Sequence, residues 1–234
     1  MSTVQSSTKH NSTFARTIDN NKILPLASFH WLILALEDFK SAPLISLIYG
    51  VLFSLVPIAI FHFVIETSNH LIILPATIGF ALIGPAFAAG LYDVAWELEK
   101  GHQPTIAHSL KAMFRNPVGE WSFAIVLMII MVAWTRIAAL LHAFYPAVAN
   151  PTFQELLPFL AIGTIVGAVL AAIVFTISAF TPQIMIERRV DIMTALAPST
   201  KAVNNNSFAM FIWACLIFAF VSIGLITKGY GFIF

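Results

Sequence analysis

Charged residues are sparse along the chain, and they cut it into long apolar runs. The first runs from Leu44 to Ile65 and is closed by Glu66; the second runs from Leu71 to Tyr92 and is closed by Asp93. A third, Trp121 to Tyr145, contains the single charge Arg136; a fourth fills the uncharged interval between Glu155 and Glu187; a fifth lies between Lys201 and Lys228. A helix needs about 20 such residues to cross a hydrocarbon core of about 30 Å. The runs are continuous and not alternating, which selects helices over barrel strands, because lipid tolerates only spanning structures that satisfy their own backbone. The pattern predicts an all-α, polytopic membrane helix bundle of five spans, with Gly229 to Phe234 as a truncated or partial sixth. Only Glu66 to His70 separates the first two runs, which makes them a tight antiparallel pair.

Composition sharpens this reading. Of 234 residues 59% are hydrophobic and 10% charged, against about 45–50% and about 25% in soluble domains. Twelve basic and eleven acidic residues leave a net charge of +1, without the clustered Lys and Arg that nucleic-acid binding requires. The single Cys215 excludes a disulfide framework and any multi-Cys metal site. Residues 1–25 read as a disordered cytoplasmic tail, since Met1 to Lys22 is rich in Ser, Thr and Asn and lacks the apolar run of a signal peptide; residues 26–234 read as a single membrane domain. Ten of the twelve basic residues precede the first span or follow the second and fourth, which places the N-terminus and both long loops in the cytoplasm.

Shifting the sequence by 90 residues aligns Glu97–Asn116 with Glu187–Asn206 without a gap. Six of twenty positions are identical: Glu97/Glu187, Ala107/Ala197, Ser109/Ser199, Lys111/Lys201, Ala112/Ala202 and Asn116/Asn206. Both segments read as short amphipathic in-plane helices, Ile106, Leu110, Met113 and Phe114 sharing one face of the first and Ile192, Leu196 and Val203 one face of the second. A weaker copy at Phe29, Leu32, Ile33 and Leu36 gives repeat units of about 26–97, 98–187 and 188–234, each an in-plane helix before an odd-numbered span.

Leu36, Asp38, Pro43 and Tyr49-Gly50, then Gly84-Pro85, Gly90-Leu91-Tyr92 and Glu99-Lys100-Gly101, then Ser178, Pro182, Arg188, Asp191, Ala195, Ser199, Ala202 and Asn206 carry a resemblance. Over about residues 30 to 225 the chain resembles bacterial predicted six-span integral membrane proteins of unknown function, some of them labelled cytochrome c oxidase subunit I-like. The resemblance implies a fold and an address in the bacterial inner membrane, without a reaction. Haem-copper chemistry needs several histidines deep in the spans, whereas His10, His30, His70, His102 and His108 fall in the tail or loops and only His62 and His142 fall in spans, near their outer ends.

Arg136 is the sharpest single residue, a cation about 12 Å from the outer end of its span at 1.5 Å per residue. Such a charge costs at least about 2.5–3.5 kcal/mol and ordinarily points into a bundle or cavity. Glu66 and Glu155 are its expected partners, and its roles are structural or substrate-gating. Asp93 and Glu97 share a helix face and either hold a proton or pair with Arg188, Arg189 or Lys111. His62, Glu66 and His70, with His142, are a remote metal possibility; the favoured expectation is no metal. Gly163 and Gly167 form a small-residue stripe for helix packing, as do Gly84 and Pro85, where a helix break is the lesser reading. No catalytic or cofactor-binding motif is present, so neither catalytic residues nor cofactors are expected. The partners expected are the lipid bilayer and a membrane-protein complex or homo-oligomer. The chain reads as a non-catalytic scaffold, assembly or accessory component, the alternative being a small-molecule or lipid transporter with a cavity near Arg136.

Overall fold

The structure, a computed structural model, describes residues 21–67, 73–146 and 151–233. Nine α-helices follow one another among the described residues: α1 Ala27–Ser41, α2 Pro43–Thr67, α3 Ile73–Glu99, α4 Ile106–Ala112, α5 Pro117–Leu141, α6 Phe153–Ser178, α7 Thr181–Arg188, α8 Ile192–Asn205 and α9 Ser207–Ile226. Single 3-10 turns follow α5 and α9, at His142–Phe144 and Tyr230–Phe232. Four stretches are long and apolar enough to cross a membrane: Pro43–Thr67, Pro117–Phe144, Phe153–Arg188 and Ser207–Ile226. The remaining expected span, Leu71–Tyr92, begins outside the described residues and continues as α3, which is 27 residues long.

Helix ends follow from local chemistry. Asn116 caps α5 by accepting from the Gly119 N–H, and Pro117 occupies the first turn, where a missing N–H does no harm. Thr152 and Glu155 form a reciprocal capping box at the start of α6. Asp191 caps α8 through the Thr194 N–H at 2.8 Å, and that bond holds its carboxyl below the ordinary aspartate value. After α3, Gly101 takes a positive φ of 74°, so that its own N–H reaches the Leu98 carbonyl and the His102 N–H the Glu97 carbonyl, a left-handed stop in which glycine carries no steric penalty.

α3 packs mainly against α5 and α4, α8 lies on α6 and α7, α1 rests on α9, and the turn at 230–232 sits against α2. The buried core collects towards one end of this arrangement, around Ala42, Ile45, Tyr49, Val94 and Met113 and around Phe123, Met185 and Ala195. Elsewhere the spans are thinly covered by their own chain: none of the most apolar stretch of α6 is buried, and 6% of that of α5.

Residues 1–20 lie outside the described residues, but the Ile23 N–H donates to Asn206 Oδ1 at 2.9 Å and Asn206 Nδ2 donates to the Asn21 carbonyl at 3.0 Å. Two backbone groups in the segment read as a tail thus find partners on one side-chain amide.

Candidate polar site beneath α3

Asp93 is buried, 3% exposed, on the last turns of α3. Its two carboxylate oxygens are divided between two donors: Arg115 Nη2 reaches Oδ1 at 2.8 Å, and His108 Nδ1 lies 2.7 Å from Oδ2. Both donors come from the segment between α3 and α5, which doubles back beneath α3 because Thr105 caps α4 by accepting from the His108 N–H. Glu97, one turn on, is half-buried and meets His102 Nδ1 at 3.0 Å and Lys100 Nζ at 3.6 Å. The partners expected for Asp93 and Glu97 were Arg188, Arg189 or Lys111. The cations that hold them instead lie three to twenty-two positions along the same stretch of chain, because α4 folds the loop back onto the helix it leaves.

A layer of neutral hydrogen bonds adjoins this cluster. Ser109 Oγ donates to the Gly90 carbonyl at 2.7 Å, and Tyr49 Oη donates in turn to Ser109 Oγ, joining α2, α3 and α4. The contact is close enough that a Cβ on Gly90 would overlap Tyr49 Oη. Ser199 has a matching place on α8: its Oγ donates to the Thr176 carbonyl and accepts from the Phe180 N–H, each at 3.2 Å. Asn116, besides capping α5, uses Nδ2 to bond the Met185 and Val190 carbonyls at 3.0 and 3.1 Å, closing the C-terminal end of α7, where Arg189 turns left-handed at φ 50°. Spans and connecting helices are thus laced together at one end of the bundle by side chains that satisfy backbone groups.

Two polar atoms depart from this economy. Glu120, 7% exposed, and Gln183 each hold a buried Oε1 with no partner among the described residues. Gln183 lines a cavity of about 390 Å³ together with Asp93, Trp96, Arg115, Glu187 and Arg189. Asp38 lines a larger one of about 600 Å³ beside Tyr49, Gly50 and Phe232; burial first, and then the charges of Glu37 and Glu99, push its carboxyl above the usual range. A third cavity, about 610 Å³, is apolar and runs along α2 from Val56 to Ile65, with Lys228 at its rim.

Arg136 lines none of these three cavities. It is exposed on α5, and no described residue forms an ion pair with it. Glu155 does not reach it, because its carboxylate is held by the Thr152 N–H at 2.8 Å and by the Thr152 hydroxyl at 2.9 Å. Glu66 is exposed at the end of α2 and makes no bond to it either. The expectation that Arg136 turns into the bundle fails because its position falls on the face of α5 that α3, α6 and α7 leave open.

The histidines considered as metal ligands have aromatic partners instead. His62 Nε2 lies 3.1 Å from Tyr230 Oη, and His142 stacks on Tyr145 at 5.3 Å; His70 lies outside the described residues. Among the described residues no group of three or more His, Cys, Asp or Glu side chains is placed to hold a metal ion. Of the packing glycines, Gly167 approaches the Trp134 ring, 3.3 Å from where a Cβ would sit. Gly84 and Gly163 have no described atom within 4 Å of that position, so the close approach expected there is not made by the described chain: their small faces turn to open space. α3 passes through Gly84-Pro85 as one continuous helix.

Sequence reading singled out Asp93, Glu97 and Arg136 but missed Tyr49, His108, Arg115 and Glu120. Asn116, Ser109 and Ser199 carried a signal, as identities between the aligned segments.

No curated protein and no solved structure matches the chain. Residues 73–187, from the start of α3 into α7 and including the whole Asp93 cluster, match the model of a family described as predicted integral membrane protein (DUF2189), so that over just under half of its length the chain is similar to that family and, with its apolar helices, is an integral membrane protein.

Proposed function

We propose that the chain is a multi-pass component of a bacterial inner membrane that works without chemistry of its own, as a scaffold, assembly or accessory subunit. The observation that carries this reading is the fate of Asp93. The buried carboxylate is the natural place for chemistry at a membrane surface, yet both of its oxygens are occupied by Arg115 and His108. A carboxylate held from two sides clamps α3 to the α4 loop. In this reading the N-terminus is cytoplasmic, the clamp lies at the cytoplasmic surface, α3 is the second of five spans, and α1, α4 and α8 are the in-plane helices of the repeat units. The corresponding roles of Ser109 and Ser199, each bonding an amphipathic helix to the span before it, support the repeat, and Asn116 joins its unit to the next through the Val190 carbonyl.

Reconstitution in sealed vesicles tests the reading. A scaffold yields no solute or lipid flux above that of empty vesicles, and purification in mild detergent retains a stoichiometric membrane partner. Saturable flux would instead favour the transport alternative, for which the apolar cavities along α2, and not the surroundings of Arg136, offer the space.

A further inference from the structure

We propose that the outward face of α5 centred on Arg136 is a docking surface for a membrane-spanning helix of another protein, one that presents a carboxylate at the depth of Arg136. The inference rests on the reading of the chain as an assembly component and names the chemistry of its partner. Trp121, Ile125, Ile129, Val132, Arg136 and Leu140 follow one another at spacings of three or four residues, and all are exposed, so they form one stripe along α5. Ala133 beside Arg136 is exposed as well and leaves room for a second backbone to come close.

An arginine facing hydrocarbon is not a resting place. Arg136 lies eight residues before Phe144, the end of the turn that finishes this span, so its Cα is about 12 Å below that end. Cα–Cβ bonds tilt towards the helix N-terminus, which here points away from the nearer membrane surface, and snorkelling must work against that direction. Anionic headgroups therefore lie behind the side chain. The polarity of the site calls for a negative charge inside the hydrocarbon layer, where charged side chains pair with one another.

A second copy of the chain does not supply it. Every copy inserts with the same orientation, so a neighbour brings its own residues to the same depth. The acids bordering or entering the spans, Glu66, Asp93, Glu120, Glu155 and Glu187, all sit towards span ends. Glu120, on the same helix, is 16 residues or about 24 Å away and buried. Charge complementarity thus selects a different protein, with an Asp or Glu within its own span.

The test uses a defined probe. Fluorescently labelled single-span peptides of about 24 residues, rich in Leu and Ala, carry Glu at the depth of Arg136, Gln at that depth, or Glu at the span end. Association with the intact chain is read by energy transfer in phosphatidylcholine vesicles, for the wild type, Arg136→Leu and Arg136→Gln, each checked for native helix content. The deep-Glu peptide is expected to bind the wild type about tenfold more tightly than either variant, the scale of an interhelical hydrogen bond in a bilayer, and more tightly than the other two peptides. Equal binding to wild type and variants overturns the inference, as does binding that phosphatidylglycerol in the vesicles abolishes, which would assign Arg136 to lipid headgroups. Either failure without solute flux leaves the scaffold reading standing, whereas flux removes that reading whatever the peptides do.

Discussion

Asp93 and Arg136 are two charges that a membrane protein should bury and pair, and the fold treats them in opposite ways. Asp93 sits at the foot of α3, 3% exposed, with a cation or a ring nitrogen on each oxygen. Arg136 stands on the open side of α5 with no ion pair among the described residues. The surroundings differ in the same way. The Asp93 end holds the buried core and the side-chain bonds that join α2, α3, α4, α5 and α7, while α5 and α6 near Arg136 bury almost nothing against their own chain. One end of the molecule is finished by its own residues; the other leaves a charge to be matched from outside.

The largest effect should come from breaking the finished end. Asp93→Leu leaves Arg115 and His108 without their acceptor and is expected to destabilise the protein by about 2–3 kcal/mol, less than the about 3–5 kcal/mol for breaking a fully buried pair, because both donors keep some contact with water. Detergent-micelle unfolding measures this, and an unchanged midpoint would contradict the clamp. Gly90→Ala drives a methyl group into Tyr49, at an expected cost of about 2 kcal/mol; the double variant Gly90→Ala, Tyr49→Phe recovers part of that loss if the overlap is with the hydroxyl. Glu120→Met should move the other way, stabilising by about 1 kcal/mol, since it removes a buried oxygen that lacks a partner. A loss of stability there would mean that the carboxyl's bond to the Asn116 backbone outweighs the unpaired oxygen.

The smallest effect is Asp191→Ala, a slight fall in the unfolding temperature from the loss of the α8 cap. Its pH dependence has a definite sign. The folded carboxyl titrates below its ordinary value, so the cap's contribution is complete above about pH 4 and is lost as the pH falls through the lower folded value. Wild type and Asp191→Ala should therefore converge in acid, and a gap that widened on acidification would contradict the assignment.

The helices were legible because lipid is a simple solvent to read: apolar runs bounded by charges leave few alternatives, and Leu44–Ile65 lies within α2 while Trp121–Tyr145 ends one residue beyond the turn that follows α5. Caps at Thr152, Asp191 and Asn116 follow the same local logic. Partners were less legible. A span pattern says which residues meet the bilayer but not which way a helix turns about its axis, so Arg136 was placed towards a bundle interior that its face of α5 does not join. Asp93 was recognised as a site but given Arg188, Arg189 or Lys111, because nothing in the spacing reveals that the loop folds back beneath α3 so as to bring His108 and Arg115 to it. The 90-residue shift came nearest to tertiary information, since it marked Ser109 and Asn116 before their bonds were visible.

The contrast between the two charges is tested most directly by unfolding Asp93→Leu and Arg136→Leu side by side in the same mixed micelles. Asp93→Leu is expected to lose about 2–3 kcal/mol while Arg136→Leu is as stable as the wild type or more so, because no ion pair with a described residue is removed and a charge leaves the apolar layer. A loss for Arg136→Leu equal to that for Asp93→Leu would contradict it, by showing that Arg136 is held within the chain after all.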